Sequence, residues 1–117
     1  MGLEGERAAA QFLKKQGYQI LQRNYRTGTC EIDIIGYDKG VIAFLEVKAS
    51  LSPRYGPPEL KVTGPKQRRL YRAAQQYIKE KGLWGQHFRF DVVSIHFSKG
   101  GGVPEVKLFK NAFPAGA

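Results

Sequence analysis

Four charged side chains stand among apolar neighbours between residues 30 and 48, and their types could do chemistry together. They are Glu31, Asp33, Glu46 and Lys48. Carboxylate oxygens are the ligands that hard cations such as Mg²⁺ and Mn²⁺ prefer, and a divalent cation relieves the repulsion among buried carboxylates. Such an ion polarises a phosphoryl oxygen and lowers the pKa of its water, while a lysine can orient that water or stabilise developing charge. The residue types therefore indicate metal-assisted hydrolysis of a phosphodiester.

A β-hairpin is the element that must position these side chains. Apolar and polar residues alternate on both sides of a Lys-Gly turn signal at residues 39–40, which predicts two half-buried strands. A two-residue turn there, with a positive φ at the glycine, sets a register that pairs Asp33 with Glu46 and Glu31 with Lys48. All four side chains would then share one face of the hairpin. A slip of one residue would send one pair to the other face.

Helices and further strands are predicted on both sides of the hairpin. The expected elements are a helix at about 3–16, strands at about 18–27, 29–37 and 41–49, a helix at about 64–81, and strands at about 87–97 and 105–109. Gly17 and Gly82 are expected to end the helices, and Pro65 suits the first turn of the second helix. Three prolines predict an irregular loop at 51–61. The expected fold is α/β, one domain over residues 1–117, with helix, three-strand meander, helix and strand forming a mixed sheet of four to five strands.

The composition favours a polyanionic partner. Nineteen Lys and Arg residues against ten Asp and Glu residues give a formal charge of +9, and such a surplus suits nucleic acid through neutralised phosphates. A well-solvated basic surface is the competing explanation. No apolar run approaches the roughly 20 residues of a membrane span, and no secretory signal is visible. With a single cysteine, a disulfide framework is excluded, and the cytoplasm is the expected location.

The second predicted helix and the loop before it carry the candidate nucleic-acid contacts. Basic residues cluster near the start of the helix, at Lys66, Arg68, Arg69 and Arg72, which suits phosphate contacts. Gln67 and Tyr71 are i and i+4 neighbours and present one surface, although solvent explains the first and core packing the second when each is taken alone. Arg54 and Tyr55 lie in the loop, where they could reach a substrate.

Other chemically active residue types have ordinary explanations. Glu6 lies at the edge of the first helix's apolar stripe, where it either complements the helix N-terminus or needs a partner or a metal. Asp91 is flanked by apolar strand residues and is expected to be structural, with an arginine as its partner. His87 and His96 have no nucleophile motif beside them. Cys30 stands next to an acid and is expected to be inert.

The ordered motifs resemble those of the PD-(D/E)XK nuclease superfamily, as Glu31-Ile32-Asp33 followed by Glu46-Val47-Lys48. More closely, the chain is similar to the YraN-like family of small bacterial proteins, related to archaeal Holliday-junction resolvases. The matching segments are 5–6, 31–33, 44–48, 55–58, 66–70, 90–93 and 111–113. Ile32 stands where the superfamily name has Pro, and Cys30 replaces the Gly usual before Glu-Ile-Asp in this family. The second departure affects local backbone freedom only.

The resemblance implies a restriction-endonuclease-like core and a metal-dependent endonuclease. By that resemblance Asp33, Glu46 and the backbone carbonyl of Val47 bind Mg²⁺, for which Mn²⁺ can substitute, and Lys48 is the catalytic lysine. Glu6 resembles the first-helix acid of resolvase-like nucleases.

Further implications concern the second helix and the substrate. Gln67 and Tyr71 match the Gln-X-X-X-Tyr pattern that RecB-like nucleases carry on the helix after the core strands. The implied substrate is DNA, including branched or repair intermediates, and a homodimer would supply the two sites that two cuts across a junction require. The alternative hypothesis is a non-catalytic nucleic-acid-binding module on the same fold. A third hypothesis is a purely structural protein whose hairpin contains a buried salt bridge.

Overall fold

The computed structural model describes residues 2–28, 30–50, 62–98 and 100–114. Its elements are α1 (Gly2–Lys15), β1 (Gln19–Thr27), β2 (Cys30–Asp38), β3 (Val41–Ser50), α2 (Gly64–Lys81), β4 (His87–His96) and β5 (Glu105–Phe113). The α/β prediction is confirmed, and the last strand is longer than the short edge strand expected. Arg54 and Tyr55 lie outside the described residues.

The five strands form one mixed sheet in the order β1-β2-β3-β4-β5. Strands β3 and β4 are parallel, while the other neighbouring pairs are antiparallel. Parallel neighbours need a crossover connection, and α2 provides it between β3 and β4. This is a five-stranded sheet flanked by two helices, as in a restriction-endonuclease-like core.

The two helices pack on opposite faces of the sheet, and β3 contributes to both cores. Ile42 and Phe44 belong to the cluster that includes the buried side chains of α2. Ala43 and Leu45 belong to the cluster that includes those of α1. Because β3 is covered on both faces, its sequence reads as a nearly continuous apolar run, and a polar residue in it needs a specific reason.

The turn between β2 and β3 follows the prediction, whereas the expected pairing of the charged residues does not. Residues 39–40 have φ values of 49° and 89°, which suit a two-residue hairpin turn. The paired register ends at Ile34 opposite Leu45. The predicted pairs of Asp33 with Glu46 and of Glu31 with Lys48 would come next, but the ladder does not continue to them.

A break in the alternation of β2 explains why the ladder ends at Asp33. Ile32 and Ile34 are two residues apart, yet they belong to the two opposite core clusters. In β1, Asn24 lies between the partners of Ile34 and Ile32, and its φ is 54°, a left-handed conformation that Asn tolerates better than most residues. Local irregularities of this kind re-aim side chains and end strand pairing. The side chain of Asp33 therefore does not follow the regular alternation of the strand.

Helix α2 has defined ends. The hydroxyl of Thr63 accepts a hydrogen bond from the backbone N–H of Lys66 at 3.4 Å, so Thr63 is the N-cap. Gly82 ends the helix with a φ of 65°, the left-handed conformation that glycine adopts without penalty. Neither helix in the described parts of the chain is both long and apolar enough to cross a membrane.

A buried ion network holds β4 to its neighbours at the other end of the sheet. The Nε of Arg89 donates to Asp91 at 2.9 Å, the Tyr18 hydroxyl donates to the same carboxylate at 2.9 Å, and Arg89 also donates to Asp38 at 2.8 Å. Burial alone would raise the pKa of Asp38, but hydrogen bonds from Arg89 and Lys110 outweigh it and hold that pKa below its usual range. The predicted arginine partner of Asp91 is confirmed.

Candidate active site

Asp33 occupies the point where β2 and β3 separate. Its Oδ2 accepts a hydrogen bond from the backbone N–H of Val47 at 2.8 Å. Burial raises the pKa of Asp33 to about 6, opposed by that hydrogen bond and reinforced by the carboxylates of Glu46, Glu6 and Glu31. Three other acids therefore lie close enough to disfavour a negative charge on Asp33.

Glu46 is buried on the face of β3 that α2 covers. Its side chain retains 9% exposure, and the ammonium of Lys66 lies 2.7 Å from its Oε2. The hydrogen bond to Glu46 raises the pKa of Lys66; burial opposes the rise and the fields of Glu46 and Asp33 add to it. Lys66 is therefore charged and neutralises a carboxylate that would otherwise be buried alone.

Glu6 reaches the same region from α1 because the helix packs very closely on β3. A Cβ at Gly5 would lie 3.0 Å from the Cβ of Ala49, so only glycine permits this approach without a shift. The Oε1 of Glu6 is buried and has no hydrogen-bond partner in the described structure, and the nearest cation, a guanidinium nitrogen of Arg23, is 3.9 Å away. A buried carboxylate oxygen without a hydrogen-bond partner reduces the stability of the fold, and such an oxygen can serve as a ligand for a cation.

Lys48 follows Glu46 on the same face by strand alternation. It is partly buried, and within the described ranges no hydrogen bond or ion pair to it is found. Glu31, by contrast, turns towards β1, where its carboxylate lies 3.3 Å from Arg26. Among the four charged residues of the hairpin, Lys48 therefore shares a strand face with Glu46, whereas the carboxylate of Glu31 pairs with Arg26.

The donors suit a hard divalent cation, although they are not assembled around one. Among the described residues, no three His, Cys, Asp or Glu side chains are close enough together to form a ready metal site. The available groups are nevertheless carboxylate oxygens, which hard cations select. Two of these carboxylates are buried in different ways: the Oε1 of Glu6 has no hydrogen-bond partner in the described structure, and the Oε2 of Glu46 is paired with the ammonium of Lys66. The residues therefore fit Mg²⁺ or Mn²⁺ once Glu46 is released from Lys66.

The remaining predicted residues of α2 divide into two groups. Gln67 donates from Nε2 to the carbonyl of Val62 at 2.7 Å, and the Tyr71 ring packs near that of Phe88 with centroids 6.2 Å apart. Arg68, Arg69 and Arg72 are exposed. The first group shapes the start of the helix and its core face, and the second is free to contact solvent or a ligand.

Two relationships were missed from sequence. The basic cluster predicts that Lys66 contacts a phosphate, whereas in the structure its ammonium pairs with the carboxylate of Glu46. The parity of Glu46 with Phe44 could have indicated this contact, because it turns the carboxylate towards α2. The second relationship is a groove between Arg69, Arg72 and the β1–β2 connection, for which local sequence offered no signal.

Comparison with known proteins places the chain in a family. The family described as "Uncharacterised protein family UPF0102" matches residues 5–95. A UPF0102 protein of Desulfosudis oleivorans is 50% identical over 114 residues, covering 97% of this chain and 89% of the relative. Similar proteins of Clostridium kluyveri and Pelotomaculum thermopropionicum are 43% and 42% identical, each over 97% of this chain and 93% and 94% of their own lengths. The chain therefore belongs to the UPF0102 family, which confirms the YraN-like resemblance of its motifs.

Proposed function

We propose that this protein is a metal-dependent endonuclease that hydrolyses phosphodiester bonds in DNA, including branched or repair intermediates. The observation that carries the proposal is the position of Asp33, whose partly buried carboxylate has a pKa of about 6 because burial and three neighbouring acids disfavour its charge. Gathering acids from α1, β2 and β3 in one place costs stability unless a cation joins them. Perturbed acids of this kind are typical of functional sites.

Each residue of the candidate site has a role in this proposal. Asp33, Glu46 and the Val47 carbonyl hold Mg²⁺ or Mn²⁺, and Glu6 completes the negative environment. The bound ion would supply Lewis acidity and a more acidic water. Lys48 stabilises the charge that develops on the phosphoryl oxygens, because a cation beside the reacting group is most effective in a partly buried site.

Substrate binding is assigned to α2 and to the segment before it. Exposed Arg68, Arg69 and Arg72 neutralise backbone phosphates, and Gln67 orients the first turn of α2 through its hydrogen bond to Val62. Tyr71 supports this helix through its core contact, and Arg54 and Tyr55 belong to the proposed substrate side on sequence grounds. The proposal includes a cytoplasmic location, and a homodimer for paired cuts across a junction.

The alternative is a nucleic-acid-binding module without catalysis. The 2.7 Å ion pair between the Nζ of Lys66 and the Oε2 of Glu46 favours this alternative, because a Glu46 carboxylate that stays paired with a lysine cannot bind a metal. Both functions require nucleic acid as a partner, and they differ in whether the bond is cut.

A cleavage assay separates the two functions. Linear duplex, single-stranded and four-way-junction DNA are incubated with Mg²⁺ or Mn²⁺ and either wild type, Asp33→Ala or Lys48→Ala. We expect metal-dependent cleavage by wild type and a loss of at least about 100-fold in each variant, as for removal of a transition-state charge partner. Glu31→Ala is the matched control, since its side chain turns towards Arg26. Binding to all three substrates without metal-dependent cleavage of any would support the non-catalytic module instead.

A further inference from the structure

A groove of about 260 Å³ lies beside the acidic centre, between α2 and the connection from β1 to β2. Arg69, Arg72 and Gln76 line it from the helix, and Thr27, Gly28 and Cys30 line it from the sheet. Gly28 has a φ of 57°, so the turn that forms the second wall uses a backbone conformation that favours glycine. The groove is thus a concave site with walls from two elements, and not only a patch of positive charge on the surface.

The chemistry of the groove suits an anion with several oxygens. Within the described ranges no carboxylate pairs with Arg69 or Arg72, so their guanidinium donors remain available. Arginine recognises phosphate through several parallel N–H donors. Thr27 adds a hydroxyl at the opposite wall, and the described residues that line the groove include no acid.

The groove continues the acidic centre along α2. Lys66, Arg69 and Arg72 recur every three residues and so follow one side of the helix. Six residues at 1.5 Å per residue separate the first from the last by about 9 Å. This row is short enough for neighbouring phosphates of one strand to reach both of its ends.

We propose that this groove binds a backbone phosphate of a nucleic-acid strand, close along that strand to the phosphodiester at the acidic centre. The inference rests on the proposed function for what happens at the acidic centre. Binding in the groove needs neither metal nor cleavage. Arg69 and Arg72 are the phosphate ligands, and the β1–β2 connection limits how the strand leaves the site.

The position of Cys30 provides a direct test, because it is the chain's single cysteine and lines the groove. Its partly exposed thiol is alkylated with a maleimide at neutral pH, where amines react far more slowly than thiols, over a time course that allows for the pKa of Cys30, which burial raises. The reaction is followed by mass in EDTA, with single-stranded or duplex DNA at saturating concentration. We expect DNA to slow alkylation at least about fivefold, the protection expected when about four-fifths of the protein has its groove covered.

The matched variants are Arg69→Gln/Arg72→Gln and Lys14→Gln/Lys15→Gln. Both remove two positive charges from exposed helix positions, but the second pair lies on α1. The groove variant should lose the protection of Cys30 and bind DNA at least about tenfold more weakly. The slope of log affinity against log salt concentration should become less steep by about 0.7 to 0.9, the contribution of the one phosphate that the groove neutralises. Melting temperatures of both variants should match that of wild type, since all four side chains are exposed.

Each outcome decides the proposal. Unchanged alkylation of wild type under saturating DNA would overturn it, as would equal loss of affinity in the two double variants. Protection by inorganic phosphate but not by DNA would also overturn it, and would assign the groove to a small anion. Because the assay contains no metal, protection without cleavage in the nuclease assay would contradict the endonuclease alone. Cleavage without protection would contradict the groove alone.

Discussion

The Oδ2 of Asp33 accepts a 2.8 Å hydrogen bond from the backbone N–H of Val47, a residue of the neighbouring strand. This side-chain contact is made where the β2–β3 ladder would otherwise continue, since the last paired residues are Ile34 and Leu45. A side chain that satisfies a backbone donor allows the two strands to separate without an unpaired buried N–H at that position. The separation leaves Asp33 beside β3, where the carboxylates of Glu46, Glu6 and Glu31 disfavour its charge.

The first prediction concerns the pH dependence of stability in the metal-free protein. Asp33 has a folded-state pKa of about 6, above the unfolded value of about 3.9. The folded protein therefore binds more protons between these values, so this residue's contribution is most favourable below about pH 4 and is lost as pH rises through about 6. Two pKa units correspond to about 2.7 kcal/mol, and partial exposure of the carboxylate reduces our expectation to about 1–2 kcal/mol.

Asp33→Asn tests this, because the amide oxygen can still accept the N–H of Val47. Denaturant unfolding in EDTA should show the variant more stable than wild type at pH 7.5, with little difference at pH 4. A variant that is equally stable or less stable at pH 7.5 would contradict the pKa assignment. An active-site residue whose replacement increases stability is a common trade-off between function and stability.

The second prediction concerns metal affinity. Asp33→Asn should weaken Mn²⁺ binding at least about tenfold, because it removes a ligand charge, and Glu6→Gln by about threefold, the effect of a neighbouring charge that contributes less than about 1 kcal/mol. Isothermal titration calorimetry at pH 7.5 measures both. Glu31→Gln is the control, since its carboxylate pairs with Arg26 at 3.3 Å, and it should stay within about twofold of wild type. Equal losses in all three variants would indicate nonspecific attraction to a negative surface.

The helices, strands and turns could be predicted from the sequence because the residues that determine them lie close together in the chain. Both ends of α2 depended on chemistry visible in the chain, with Thr63 as the N-cap and Gly82 in the left-handed conformation. The turn at residues 39–40 was equally local. The extended β5 was underestimated, because its alternation is weak and its last residues gain their stability from tertiary contacts such as the stacking of Phe113 on Phe90.

The candidate site was predictable only in part, because its geometry depends on contacts between distant elements. Strand parity places Glu46 on a defined face, but the break at Asp33 coincides with the left-handed Asn24 of another strand. No periodicity reveals such an irregularity. The pairing of Lys66 with Glu46 likewise depends on how α2 crosses the sheet, so a lysine in a basic cluster was assigned to phosphate.

The third prediction concerns Lys66 as the cation that occupies Glu46 before metal binding. Mn²⁺ must displace the ammonium from the carboxylate, so Lys66→Gln should bind Mn²⁺ more tightly. A partly exposed ion pair contributes up to about 1 kcal/mol, which corresponds to about fivefold in Kd. Lys79→Gln removes the same charge near the other end of α2 and should change the affinity by less than about twofold. Weaker binding in Lys66→Gln would show that the lysine supports the metal site.

The fourth prediction concerns the ion network around Arg89, which we expect to stabilise the fold without affecting the acidic centre. Asp91 is fully buried. Arg89→Met would remove the guanidinium that pairs with both Asp91 and Asp38. Removing one partner of a buried ion pair costs about 3–5 kcal/mol. Lys110→Met should cost about 1 kcal/mol or less, because Lys110 is half exposed and Arg89 still contacts Asp38. Denaturant unfolding measures both changes, and calorimetry at a temperature where the variant remains folded should give unchanged Mn²⁺ affinity. A small loss in Arg89→Met, or a change in metal affinity, would contradict a purely structural role for the network.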